Sequence, residues 1–264
     1  MCIFFFFFFF FLFVCFCPTR HTRSPKILCD FRWREAVQTL AKFHSVDPKS
    51  VGLERFGKPT GYYERQISTL SAVSHTQAQV TDVDTKAPVG ELPHVSEVLK
   101  FFLQKSTQPK DRGSLVHGDY KIDNLVFHKT EAKVIGILDW EMATVGHPLS
   151  DLCNLTSPYY QDSPVRSAAS FHPSAIPGLP TREDCTRWYS EVAGWDPTPD
   201  LSWGDAFFCF RLSVIVQGIA ARNARRQASS AVAGEYAKFM VPVALLTWNL
   251  VKQVQGKARI QGKL

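Results

Sequence analysis

Three short apolar stretches broken by polar turns constrain this chain more than any other feature: Ser114-Leu115-Val116, Leu125-Val126-Phe127 and Val134-Ile135-Gly136-Ile137-Leu138. Each is too short for a helix and carries β-branched residues, so each reads as a strand. His117-Gly118-Asp119-Tyr120-Lys121-Ile122-Asp123-Asn124 lies between the first two, and the third runs into Asp139-Trp140-Glu141. Two acidic groups and an amide therefore sit where strands end.

That spacing has a chemical meaning. In phosphoryl transfer by kinases one Asp accepts the proton of the attacking hydroxyl, an Asn five residues on helps hold a metal, and a second Asp binds the Mg²⁺ that bridges the phosphates. Asp119, Asn124 and, fifteen residues later, Asp139 fit those roles in order. A single Asp in a loop is usually a turn former or a helix cap; the joint pattern of His, Gly, Asp, Asn and a second Asp is much harder to explain in that way.

On these residues the chain resembles the kinase-like superfamily of aminoglycoside phosphotransferases and choline kinases, with HGD-x-x-x-x-N as the catalytic loop and I-L-D-W-E as the magnesium loop. Gly146-His147-Pro148-Leu149-Ser150-Asp151-Leu152 and Gly57-Lys58-Pro59-Thr60-Gly61-Tyr62-Tyr63-Glu64-Arg65-Gln66 are similar to the phosphotransferase-like domain fused to some acyl-CoA dehydrogenases. The resemblance covers residues 31–254. It implies an α+β, mostly helical fold: a protein-kinase-like C-terminal lobe whose short strands carry the two loops. It also implies ATP and magnesium as cofactors, Asp119 as the catalytic base, and Asn124 and Asp139 as the groups meeting metal and nucleotide.

The neighbouring polar residues read differently. By resemblance His117 supports the catalytic loop through hydrogen bonds. Gly118 allows a turn that a Cβ would hinder. Asp123 reads as a loop residue. Asp151 has the look of a first helical turn, where an acidic side chain is favoured by the free amides; the resemblance adds that it braces the catalytic-loop backbone, as structural support. Glu141 would point to the side of Asp139 if the segment stays extended.

Upstream of His117 there are 116 residues and neither a Gly-x-Gly-x-x-Gly run nor a Val-Ala-Ile-Lys-like strand. The small lobe that covers the phosphates in the family is therefore expected to be missing, which removes part of the electrostatic clamp on the nucleotide. In its place stand Phe4 to Phe11 inside an apolar run from Ile3 to Cys17. Fifteen residues fall short of the ~20 a spanning helix needs, and no positive n-region precedes them. The tail, residues 1–30, reads either as an artefact or disordered segment, or as a weak membrane contact.

Ten of the 21 phenylalanines fall in the first 16 residues, so the core of the remaining chain is less apolar than overall composition suggests. A net charge of +6 is modest and spread out; Arg222, Arg225 and Arg226, its densest cluster, read as a solvated helix face ahead of a patch that steers a phosphorylated or carboxylated substrate. No zinc spacing and no aromatic-basic interleaving argue for nucleic acid. The seven cysteines show no C-x-x-C pair, which points to a reducing, intracellular compartment, cytoplasmic by default and mitochondrial or peroxisomal by resemblance.

Helices are expected over Asp30 to Val46, Glu91 to Gln104, Arg182 to Ala193, Trp203 to Arg222 and Ala231 to Val254, the last interrupted by Pro242. In the first, Phe31, Val37, Leu40, Ala41 and Phe43 form the expected apolar side. Residues 72–92 lack helical periodicity and read as a flexible connection. Residues 157–181 hold five prolines and read as a loop, and residues 255–264 as a polar tail. Tyr159, Tyr160, Trp188, Trp195 and Trp203 are candidates for an acceptor-pocket wall, although aromatics at helical spacing are usually core.

The leading expectation is an ATP- and Mg²⁺-dependent phosphotransferase acting on a small hydroxyl-bearing molecule. The alternative is a catalytically silent, truncated kinase-like domain that binds a ligand or a partner. A metal-assisted hydrolase ranks below both, with no Gly-x-Ser-x-Gly elbow in the chain.

Overall fold

The computed structural model describes residues 25–160 and 178–261. The poly-phenylalanine run and most of the proline-rich stretch lie outside the described residues. The described residues form two compact units: one takes those up to Thr60 with those between Asp111 and Pro199, the other Gly61–Lys110 with those from Asp200 onward.

The first unit opens with helix α1 (Pro25–His44). Trp33, Ala36, Val37, Leu40, Ala41 and His44 recur at three- and four-residue intervals and are all buried, so one stripe of the helix faces the core. Phe31, expected on that stripe, is exposed and Phe43 only half-buried. Trp33 and Ala36 take the inner positions instead, because a helix turns about 100° per residue and Phe31 and Phe43 fall to the side of the stripe.

Four short strands follow: β1 (Ser114–Val116), β2 (Leu125–Phe127), β3 (Val134–Ile137) and β4 (Thr144–Gly146). They pair as two antiparallel ribbons, β1 with β4 through Leu115 opposite Val145, and β2 with β3 through Leu125 opposite Ile137. The strand at 144–146 was not legible as such, since three residues ending in glycine carry no period. The loop between β1 and β2 and the turn after β3 are thereby each anchored at strand ends. Helix α4 (Leu149–Leu155) follows β4 directly.

Helix α5 (Arg182–Ala193) has the bounds its sequence predicts, for a local reason. Thr181 Oγ1 accepts from the Asp184 amide at 3.0 Å, and Asp184 Oδ2 accepts from the Thr181 amide at 3.1 Å. This reciprocal cap fixes the start, and Gly194 at φ 71° ends the helix. α5 packs on α1, burying Cys185, Trp188 and Tyr189.

The second unit is helical: α2 (Tyr62–Ala78), α3 (Val95–Phe102), α6 (Leu201–Ala224), α7 (Ala233–Ala237) and α8 (Met240–Gln261). Tyr63, Phe102, Trp203, Phe207 and Phe210 form its aromatic core. α6 is long and apolar enough to cross a membrane by composition, but 72% of that stretch is buried, and it serves as the core helix of this unit. Pro242 falls in the first turn of α8, where its missing N–H costs no helical bond; the break expected there lies just before it. Residues 255–261 continue α8.

The flexible connection expected at 72–92 is ordered. α2 runs on to Ala78 because its polar side has a partner: Ser74 Oγ donates to Gln217 Oε1 at 2.8 Å in the core. Beyond it, Asp82 accepts from the amides of Asp84 and Thr85 at 2.9 and 3.0 Å and pairs with Arg226. The Thr85 amide first, then Arg226, hold the Asp82 carboxyl well below its ordinary range. Arg226 also pairs with Asp84, so this member of the arginine cluster serves a turn; Arg222 and Arg225 are exposed.

Candidate active site

The loop between β1 and β2 is built from its backbone outward. Gly118 adopts φ 85°, and a Cβ there would stand 2.5 Å from the Met142 carbonyl oxygen. Only glycine permits both the left-handed turn and that close approach. Two residues on, Tyr120 is fully buried and donates from its hydroxyl to the Ala36 carbonyl of α1 at 2.8 Å. Asp119, between the two, is left half-exposed at the loop's surface.

Both oxygens of Asp119 have donors. Oδ2 accepts from Lys121 Nζ at 2.7 Å and from Asn124 Nδ2 at 3.1 Å, and Oδ1 accepts from Asn154 Nδ2 at 3.3 Å. Asn124 Nδ2 also donates to the Asp119 carbonyl at 2.9 Å. With its nitrogen committed to the loop, the amide oxygen of Asn124 is the atom available to a cation.

Asp139 is exposed and held at φ 63°, ψ 56°. The left-handed backbone ends β3 and starts a 3₁₀ turn, Trp140–Met142. Glu141 therefore does not continue an extended segment beside Asp139; it is exposed on that turn. The turn is pinned from two sides. Trp140 Nε1 donates to the Ile137 carbonyl at 2.8 Å, and its ring lies against His117 and Phe43, with centroids 4.7 and 5.3 Å apart.

The two loops are joined through Leu138. Its amide donates to the Asn124 carbonyl at 2.8 Å, and its carbonyl accepts from His117 Nε2 at the same distance. Asp119, Asn124 and the backbone leading into Asp139 thus form one cluster. Its donor set is a carboxylate and an amide oxygen, hard ligands that suit magnesium completed by phosphate oxygens and water rather than an all-protein cage. Among the described residues no group of three or more His, Cys, Asp or Glu side chains gathers as a metal cage.

Behind the loop lies Asp151, fully buried in the first turn of α4. Its Oδ2 accepts from the His117 amide at 2.7 Å and its Oδ1 from the Gly118 amide at 2.8 Å. His44, the last residue of α1, adds Nε2 at 3.2 Å, and Tyr189 of α5 meets His44 Nδ1 at 2.7 Å. Burial, and after it the nearby Asp151 charge, push the Tyr189 phenol above its ordinary value. Three elements therefore converge on one carboxylate that holds two loop amides.

Lys121, Asn154, His44 and Tyr189 were missed by sequence reading. Lys121, two residues after Asp119, and Asn154, three after Asp151 on a helix, could have been found from spacing. His44 and Tyr189 could not, since they are polar residues on apolar helix faces 145 positions apart. Among the aromatic candidates, Trp203 belongs to the core of the second unit, stacked on Phe207 at 5.4 Å. Tyr159 and Tyr160 donate to backbone carbonyls at Pro180 and Cys153. Trp188 is buried, and Trp195 lies under Arg112.

The sequence and the fold both match known proteins. Residues 29–182 match the family described as "Phosphotransferase enzyme family". The chain is 33% identical over 227 residues to acyl-CoA dehydrogenase family member 11 of Gallus gallus, covering 83% of this chain and 27% of that protein. It is 32% identical over 223 residues to family member 10 of Mus musculus, covering 82% and 20%. The chain thus spans about a quarter of the length of these relatives. A solved structure of a candidate aminoglycoside phosphotransferase from Ralstonia eutropha superposes with a TM-score of 0.74 at 29% identity, over 86% of this chain and 67% of that one. The mostly helical fold, with short strands presenting the two loops, is thus the kinase-like one, and the chain belongs to the phosphotransferase enzyme family.

Proposed function

We propose that this chain transfers the terminal phosphate of ATP, with magnesium, to a hydroxyl of a small molecule. The observation that carries this reading is the joined pair of loops: Asp119 anchored by Asn124, and the Asp139 turn tied to Asn124 through Leu138. Asp119 accepts the proton of the attacking hydroxyl. The hydroxyl oxygen bonds the γ-phosphorus while the bond to the bridging oxygen breaks and ADP leaves. Asn124, through its amide oxygen, and Asp139, through its exposed carboxylate, would hold magnesium, which neutralises phosphate charge when bound. Lys121, 2.7 Å from Asp119, adds positive charge at the same place.

The alternative is a kinase-like domain that binds a ligand or a partner without turnover. Calorimetric titration of ATP with and without Mg²⁺ separates the two. Magnesium-dependent binding supports the transferase. A folded protein that binds no ATP at millimolar concentration sinks it.

A further inference from the structure

Asn154 stands one helical turn after Asp151, so the two side chains share a face of α4. Asp151 holds the loop backbone at His117 and Gly118; Asn154 reaches the carboxylate of Asp119 itself. It is 9% exposed, and Nδ2 to Oδ1 is 3.3 Å. A short helix thus grips both the backbone and the side chain of the loop.

An ionised carboxylate offers about four acceptor sites, two on each oxygen. On Asp119, Oδ2 is filled by the Lys121 ammonium and the Asn124 amide, while among the described residues Oδ1 accepts from Asn154 alone. The open site is therefore on Oδ1. Vacating Oδ2 would break an ion pair; using Oδ1 breaks nothing.

We propose that Asn154 is a positioning residue that sets the rotation of the Asp119 carboxylate and so makes Oδ1 the oxygen presented to the acceptor hydroxyl. The inference rests on the phosphotransferase reading above. The terminal torsion of an aspartate is broad, and without a donor on Oδ1 the group pivots about its contacts on Oδ2. The acceptor hydroxyl donates to the open site on Oδ1 and leaves its proton there as its oxygen bonds the γ-phosphorus and ADP departs.

The test uses MgATP with water as the acceptor, reading phosphate release, together with MgATP affinity and the thermal midpoint. Asn154→Leu keeps the shape and removes the donor; it should lower kcat about tenfold, the worth of one hydrogen bond to a charged group. MgATP affinity should be unchanged, and Asn154→Gln should recover part of the loss. Unchanged kcat in Asn154→Leu overturns the inference, as does a loss that appears equally in MgATP affinity.

A second measurement stands apart from turnover. In Asp119→Ala the side-chain amide signals of Asn154 should shift in a ¹H–¹⁵N spectrum, and signals that stay in place overturn the contact. Wild-type protein that binds no MgATP removes the phosphotransferase reading and the role of Asn154 with it. Protein that turns over MgATP but ignores Asn154→Leu removes only the role of Asn154.

Discussion

His117 donates from Nε2 to the Leu138 carbonyl at 2.8 Å, and its Nδ1 accepts the Asp119 amide at 3.2 Å. The ring therefore carries its proton on Nε2 and connects the two loops from underneath. Its side chain is fully buried, packed edge-on near Tyr120 and tilted against Trp140. His117→Leu keeps the bulk but strands a carbonyl and an amide, and should cost about 1–3 kcal/mol. Urea unfolding measures it; an unchanged midpoint would mean that both groups find other partners.

Asp151 collects the amides of His117 and Gly118 and the imidazole of His44 at a fully buried position. Asp151→Ala leaves these donors without an acceptor, and the expected destabilisation is about 3–5 kcal/mol. Asp151→Asn should cost less, because the carboxamide oxygen still accepts from one amide. Differential scanning calorimetry ranks the two; equal midpoints for wild type and Asp151→Ala would contradict the bracing role.

If the proposed reaction holds, Asp119→Asn removes the base without altering shape and should slow turnover by about 10²–10⁴-fold while MgATP affinity stays nearly intact. Asp139→Ala should instead abolish the magnesium dependence of nucleotide binding. Weakened ATP binding with unchanged turnover in the first variant, or preserved Mg²⁺-dependent binding in the second, would reassign these residues.

Tyr120 and Tyr189 are both held above the ordinary phenol value of 10.0, in each case by burial first and by the Asp151 charge second. A phenol kept neutral by the fold contributes stability that is complete below that ordinary value. The contribution is lost as pH rises from there towards the raised folded value. Stability should therefore fall above about pH 10, and the phenolate absorbance of these two residues should appear together with unfolding. Tyr189→Phe should make the alkaline limb shallower; a limb of unchanged slope would exclude Tyr189 from it.

Legibility followed range. The strands at 114–116 and 125–127 and the helix at 182–193 were readable because apolar runs and the residues that bound them act over a few positions. The expectation at 72–92 failed because the polar side of α2 is satisfied by Gln217, 143 residues from Ser74. No local signal carries that. Phe31 shows a smaller version of the same limit: apolar character alone did not say which side of α1 faces inward.

By itself the sequence determined the family of folds and the spacing of Asp119, Asn124 and Asp139, the residues proposed above to carry phosphoryl chemistry, since strands of set length separate them along the chain. The tertiary structure alone decided how they are held. Leu138 bonded to Asn124, Asp151 beneath the loop amides, and Asn154 on Asp119 Oδ1 are contacts between segments distant in the chain. The physical reason is that a hydrogen bond has direction and a reach of about 3 Å, and only packing brings distant groups within it.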